Sequence, residues 1–220
     1  MTKQILSPNQ IKTLEHLGEN SFFAKQFYLT GGTALAAFYL HHRFSEDLDF
    51  FSEMEVDTVS VRLLLESLKS KLGIKKIDFQ QSLNRNLFFL DFADETIKTE
   101  FTYFPFPRIE QGRVEYGLGI DSVIDIASNK LFSIYQRAKA RDYIDLYLLC
   151  KQYNLGMAEL VKMAKSKFDW HIEPIQLASQ FLKSEKAVDY PRMIIEIKAS
   201  EWQEFFRNEA KKIKPDILSW

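Results

Sequence analysis

The sequence predicts an α+β chain in which strands and helices interleave through residue 118, while residues 119–220 form an all-helical C-terminal lobe. Three observations lead there. A short apolar strand pattern stops at Gly31-Gly32 and is followed at once by an apolar helical run. Three further strand patterns crowd residues 74–104 and are closed by Pro105 and Pro107. From Asp121 onward apolar residues recur at helical spacing, with Ile124, Ala127, Leu131 and Ile134 as the first stripe.

The elements follow in order. Pro8-Asn9 starts a short helix with Ile11, Leu14 and Leu17 on one face, ending near Gly18. Phe27-Tyr28-Leu29 is a short strand; after the glycines, Thr33 opens the helix carrying Ala34 to Leu40. A polar break over residues 41–46 precedes Asp47-Leu48-Asp49-Phe50-Phe51, whose alternation suits a strand with one polar face. Residues 59–72 read as an amphipathic helix with Val61, Leu64, Leu65, Leu68 and Leu72 inward, closed by Gly73. Strands are expected at residues 74–79, 87–92 and 97–104, the last two as a hairpin turning at Ala93-Asp94-Glu95. The helical half continues with residues 143–150, a segment around Leu160, and residues 177–182 and 193–206.

Bulk properties bound the answer further. With 220 residues, 46% of them hydrophobic, nineteen Phe and nine Tyr, the chain can bury a full core as one extended domain or two lobes. A net charge of -1 excludes a molecule that is basic all over, so any nucleic-acid surface must be local. The single Cys150 lies in an apolar run, which excludes an internal disulfide and fits a core residue in a reducing compartment. No apolar stretch approaches the roughly 18 residues of a membrane span, so the expected setting is the cytoplasm, with no membrane partner.

Candidate chemistry begins with Asp47 and Asp49. Residues at i and i+2 of a strand share a face, and two carboxylates there repel unless a cation sits between them. Oxygen-only ligation selects Mg²⁺ or Mn²⁺, and the four histidines show no zinc-ligand spacing. An isolated D-x-D is more often two solvated acids on a strand edge. Gly31 and Gly32 alter that reading, because a strand-to-helix glycine turn lets backbone approach a ligand and points free amides at an anion. An anion seat beside a magnesium seat is what phosphoryl chemistry requires. A third carboxylate would complete a two-metal site. Glu100 is the first candidate, sharing its strand face with Lys98 while Ile97, Thr99 and Phe101 face the other way; Asp91 is its rival. In the helical half, Lys130 sits among Ile126, Ala127, Leu131 and Ile134, so its ammonium must reach water or meet an anion. Arg137, Lys139, Arg141 and Asp142 cluster at a helix junction, with Asp142 and Asp145 suited to a helix N-terminus.

Three blocks together resemble a known family. They are Leu29-Thr30-Gly31-Gly32-Thr33-Ala34-Leu35; His42-Arg43-Phe44-Ser45-Glu46-Asp47-Leu48-Asp49-Phe50-Phe51; and Lys130 with Arg137-Ala138-Lys139-Ala140-Arg141-Asp142. The likeness, to the AbiEii/AbiGii nucleotidyltransferase toxins, covers about residues 27–150. It implies a nucleotidyltransferase-type mixed sheet flanked by helices, with a helical C-terminal lobe. It also implies that Gly31, Gly32 and Thr33 contact the triphosphate, that Asp47 and Asp49 bind magnesium, and that Lys130 and Asp142 are needed for activity. Arg43 and Ser45 would line the nucleotide site. The implied activity is transfer of a nucleoside monophosphate from an NTP to an acceptor hydroxyl, with release of pyrophosphate. The implied acceptor is the 3′ end of tRNA, in a toxin countered by a cognate antitoxin. A transferase acting on a small molecule or protein, and an inactive nucleotide-binding module of the same fold, remain as alternatives.

Overall fold

The computed structural model describes residues 5–217, with side chains through residue 213, and the chain divides into two units. The first runs to residue 41 and adds residues 45–107 and 111–122; the second takes residues 42–44, 108–110 and everything from residue 123. Leu118–Ile120 is a strand of the sheet and belongs to the first unit.

In the first unit, α1 (Pro8–Glu19) starts at a reciprocal cap. The Gln10 amide donates to Ser7 Oγ at 3.1 Å and the Ser7 amide donates to the Gln10 side chain at 2.8 Å, satisfying two donors that a helix start leaves open. A second short helix that periodicity did not reveal, α2 (Ser21–Gln26), is capped by Asn20 and takes Phe27 as its end residue, so β1 is Tyr28–Thr30. Then α3 (Gly31–Leu35) runs into one π-helical turn, residues 36–40, which stops at His41 in the left-handed region. After β2 (Leu48–Ser52) comes α4 (Thr58–Leu72), capped by Asp57 and closed by Gly73. The remaining strands are β3 (Lys76–Ser82), β4 (Arg85–Asp91), β5 (Thr96–Tyr103), β6 (Val114–Glu115) and β7 (Leu118–Ile120). The last two are too short and too poor in alternation to be read from sequence.

The described strands form one mixed sheet in the order β3-β4-β5-β2-β1-β7-β6, with β2–β5 and β1–β7 parallel and the other neighbours antiparallel. One face is aromatic. Phe50 stacks on Phe101 with ring centroids 5.3 Å apart, and Phe23 and Phe88 meet Phe101 edge-on at 5.8 and 5.6 Å. This packing fixes the register Phe50↔Phe101, and by alternation sends Asp49 and Glu100 to the opposite face.

The second unit is helical: α5 (Val123–Gln136), α6 (Ala140–Tyr153), α7 (Met157–Phe168), α8 (Pro174–Leu182) with a 3-10 turn at residues 183–186, and α9 (Ala199–Ile217). Residues 193–198, expected as helix, are not helical. The His42 carbonyl accepts from the Ile194 and Ile195 amides, and Arg43 bridges Met193, so backbone pairing captures the segment before α9 begins. Tyr143, Phe181, Trp202 and Phe206 form the core, with Tyr143 stacked on Trp202 at 6.0 Å. No described helix is long and apolar enough to cross a membrane.

Cys150 is buried in that core, and burial pushes its thiol up to about 12. Because the thiolate is the reactive form, an aromatic disulfide reagent at neutral pH should label native protein far more slowly than unfolded protein. Immediate labelling of the native state would contradict this burial.

Candidate active site

The glycine turn is built on a conformational requirement and a close approach. Gly31 has φ of 72°, a region that L residues rarely adopt. A Cβ at this position would also stand 2.6 Å from Asp49 Oδ2, so the carboxylate lies directly against the turn. Pairing of Thr30 with Asp49 across the antiparallel β1–β2 ladder produces that approach. Gly32 and Thr33 continue into α3, whose first amides have no partner within the helix. Thr33 is fully buried; its hydroxyl donates to the Asp47 carbonyl and lies 2.9 Å from Ser45 Oγ. Its role here is to tie the segment bearing Asp47 to the turn.

Asp47 directly precedes β2, and Lys98 Nζ lies 2.5 Å from its Oδ2. Glu100 is the register partner of Asp49 on β5, and Thr99 and Phe101 are buried on the other side. Asp91 is at the far end of β4, paired with Thr96 and Lys76, so of the two candidate third acids only Glu100 neighbours Asp49. Glu100 is not open, however. Arg85 Nε and Nη2 each donate to it at 2.6 Å, and Thr102 Oγ1 donates at 2.9 Å. Burial alone would raise the Glu100 carboxyl, but these donors and the Arg85 charge outweigh it and hold the group below the usual carboxylate range. Among the described residues, no three of the His, Cys, Asp and Glu side chains are grouped to hold a metal. Magnesium needs only one or two protein carboxylates, with water and phosphate completing its octahedron, so a pair of acids such as Asp47 and Asp49 could hold it.

The second unit carries its own charged cluster. Asp145 is fully buried and accepts from Arg43 Nε at 2.7 Å, Arg43 Nη2 at 2.8 Å and His42 Nε2 at 2.7 Å; Lys130 Nζ stands 2.7 Å from it. Lys130 also donates to Asp142 at 2.8 Å. Burial by itself would raise the Asp145 carboxyl, yet the Lys130 and Arg43 charges hold it well below 3.8. Burial works against the Lys130 ammonium too, and the charges of Asp145 and Asp142 more than compensate. His42 is held below 6.5, chiefly by burial and against the pull of Asp145; its Nδ1 has no hydrogen-bond partner among the described residues, as suits a neutral ring donating from Nε2.

Comparison with known proteins identifies the family. The family model described as the nucleotidyl transferase AbiEii toxin of type IV toxin–antitoxin systems matches residues 12–215. The chain belongs to the AbiEii nucleotidyltransferase toxin family. An uncharacterised protein of Aquifex aeolicus is 32% identical over 190 residues, covering 84% of this chain and 87% of its own length. Among solved structures, a protein of Helicobacter pylori provisionally assigned as a nucleotidyltransferase shares the fold. It aligns with a TM-score of 0.62 at 24% identity, over 98% of this chain and 97% of that one. The nucleotidyltransferase toxin MenT4 of Mycobacterium tuberculosis gives 0.60 at 16% identity, over 93% and 82% of the two chains.

Within this AbiEii protein, the first unit brings together Gly31, Gly32, Thr33, Ser45, Asp47, Asp49 and Glu100. Lys130, Asp142 and Arg43 belong to the second unit. Arg43, expected to line the nucleotide site, has its guanidinium committed to buried Asp145. Sequence reasoning assigned Asp145 only to a helix start and His42 only to a block resembling the family, missing the cluster they build, and did not single out Arg85. The first had a signal: a carboxylate three residues after Asp142 on an apolar helix needs a cation, and Lys130 needs an anion. Arg85 had none, because its partner acid lies on the neighbouring strand.

Two outcomes follow from the AbiEii cluster. Asp145→Asn leaves Arg43 and Lys130 buried with too little negative charge, and should cost about 3–5 kcal/mol in denaturant unfolding; an unchanged midpoint would contradict the assignment. Because the folded-state pKa of His42 lies below 6.5, its contribution to stability is complete above that pH and is lost as pH falls through the lower value. His42→Gln should remove that part of the slope from a stability-against-pH curve, and an unaltered curve would show that His42 does not titrate this way.

Proposed function

We propose that the enzyme transfers a nucleoside monophosphate from an NTP to the 3′ end of tRNA, using magnesium at Asp47 and Asp49, as a cytoplasmic toxin countered by a cognate antitoxin. The observation that carries the reading is the position of the Asp49 carboxylate against the Gly31 turn, with Asp47 tied to the same turn through Thr33. Backbone amides able to receive phosphate oxygens and an acid pair able to hold a divalent cation thus share one end of the sheet.

The cation would neutralise the polyphosphate and favour departure of pyrophosphate. Gly31 leaves room for backbone and phosphate to approach, since any Cβ would meet Asp49. Thr33 and Ser45 hold the Asp47 segment in place. Glu100, kept ionised and already engaged by Arg85 and Thr102, adds fixed negative charge beside Asp49, and an acceptor hydroxyl would present its oxygen to the α-phosphorus. That oxygen forms the new bond, the bond from the α-phosphorus to the bridging oxygen breaks, and the hydroxyl proton passes to solvent. Lys130 and Asp142 enter the proposal as a mutually paired couple required for activity, with Arg43 and Asp145 positioning Lys130. Phosphoryl transfer of this kind rests on positioning and electrostatics more than on covalent chemistry by the protein.

Incubation with labelled nucleotides, magnesium and total RNA tests the reading. Label should enter tRNA; label in protein or small molecules would move the acceptor elsewhere, and no label at all would reject turnover. Asp47→Asn and Asp49→Asn should each lower incorporation by about 10²–10³-fold, the scale seen when a preorganised electrostatic group is lost, with melting temperature nearly unchanged. Full activity in either variant would overturn the site.

A further inference from the structure

Lys98 lies outside the roles assigned so far, yet its ammonium is 2.5 Å from the carboxylate proposed to hold the cation. We propose that Lys98 is an exchanging ligand of the nucleotide: it occupies Asp47 in the ligand-free protein and passes to a phosphate oxygen of the triphosphate when a divalent cation takes Asp47. The inference rests on the functional reading above and adds a substrate-binding residue to it.

The two basic residues on this face differ in how firmly they are held. The Arg85 side chain is 54% exposed, but it grips Glu100 through two bonds of 2.6 Å, and that acid is only 7% exposed with Thr102 as a further donor. A bidentate pair on a buried acid is a fixed neutraliser. Lys98 makes one ion pair among the described residues, through a single bond, and the side chains of Lys98 and Asp47 are 25% and 43% exposed. A single, solvent-screened ion pair of that kind is weak, and the four-carbon lysine stem lets the charge move without moving the backbone.

Charge balance gives the direction of the exchange. Asp47, Asp49 and Glu100 carry three negative charges against the two positive charges of Lys98 and Arg85. A bound divalent cation turns this set of five groups net positive and displaces the ammonium from Asp47. The nearest compensating charge is then the polyphosphate that arrives with the cation. Lys98 therefore competes with metal alone and assists the metal–nucleotide complex, two effects of opposite sign.

The test uses the full chain, as wild type, Lys98→Met, Lys98→Arg and Asp47→Asn, with folding checked by thermal melts. Mn²⁺ binding without nucleotide is read from the paramagnetic resonance signal of the free ion. Binding of a non-hydrolysable triphosphate is read separately at saturating Mg²⁺. Lys98→Met should bind Mn²⁺ roughly two- to fivefold tighter, the scale of a half-exposed ion pair. It should bind the triphosphate roughly tenfold or more weakly, the scale of a lost charged hydrogen bond. Lys98→Arg should recover most of the nucleotide affinity. Unchanged or weaker Mn²⁺ binding, or wild-type triphosphate binding, in Lys98→Met overturns the exchange. Equal Mn²⁺ binding by wild type and Asp47→Asn would show that the metal lies elsewhere, which rejects the functional reading itself and this inference with it.

Discussion

Like-charge repulsion on one face of the sheet is the constraint that organises the first unit. Asp49 and Glu100 are register partners on parallel strands, and Asp47, just before β2, meets Lys98, two residues before Glu100 on β5. The opposite face explains why they cannot relax apart. Phe50 and Phe101 stack there with Phe23 and Phe88 around them, so sliding β2 against β5 by one residue would drive aromatic rings into solvent and acids into the core. Aromatic burial thus stabilises an arrangement of carboxylates that would be unfavourable alone. Arg85 and Lys98 offset what remains.

The second unit meets the same difficulty without solvent. Arg43 and Lys130 bring two positive charges to a buried cluster in which Asp142 and Asp145 bring two negative ones. Because that set already balances, an additional proton on His42 would be an uncompensated buried charge, which is why burial prevails over the pull of Asp145. The cluster also explains why residues 42–44, distant in sequence, belong to this helical unit. The Arg43 side chain and the His42 carbonyl fasten the segment to α6 and to residues 194–195.

Much of this was legible in the sequence, and the reasons differ by element. The α4 stripe and its Gly73 stop, the Lys130 stripe, and the alternation through residues 47–51 are local patterns, and local patterns survive folding because each buries one face. The glycine turn and D-x-D were readable as types of residue in order, and the family match agrees with that reading of activity and fold. What could not be read depends on pairing between distant segments. The two-residue β6 and the three-residue β7 exist because β1 offers a parallel edge. Helix is expected over residues 193–198, yet residues 193–195 pair with residues 42–43, since backbone hydrogen bonds to a fixed segment override a weak local preference. Arg85 beside Glu100 is a cross-strand fact, invisible along either strand.

The two charged clusters also show how burial sorts residues of the same chemical type into different work. Lysine pairs with aspartate at Lys98–Asp47 and at Lys130–Asp142, with N–O distances of 2.5 and 2.8 Å, so geometry alone does not separate them. Solvent does. Lys130 is largely surrounded by protein and held by two carboxylates, and removing either partner leaves a charge with little water to screen it. Lys98 has water at hand and one ion-pair partner among the described residues, so its bond can be broken at small cost. A site that must admit a cation and a polyphosphate needs contacts of the second kind where they enter. Contacts of the first kind belong where side chains must stay fixed. In the first unit the aromatic face beneath β2 and β5 holds the backbone still, so the exchange proposed for Lys98 on the other face needs only a side chain to move.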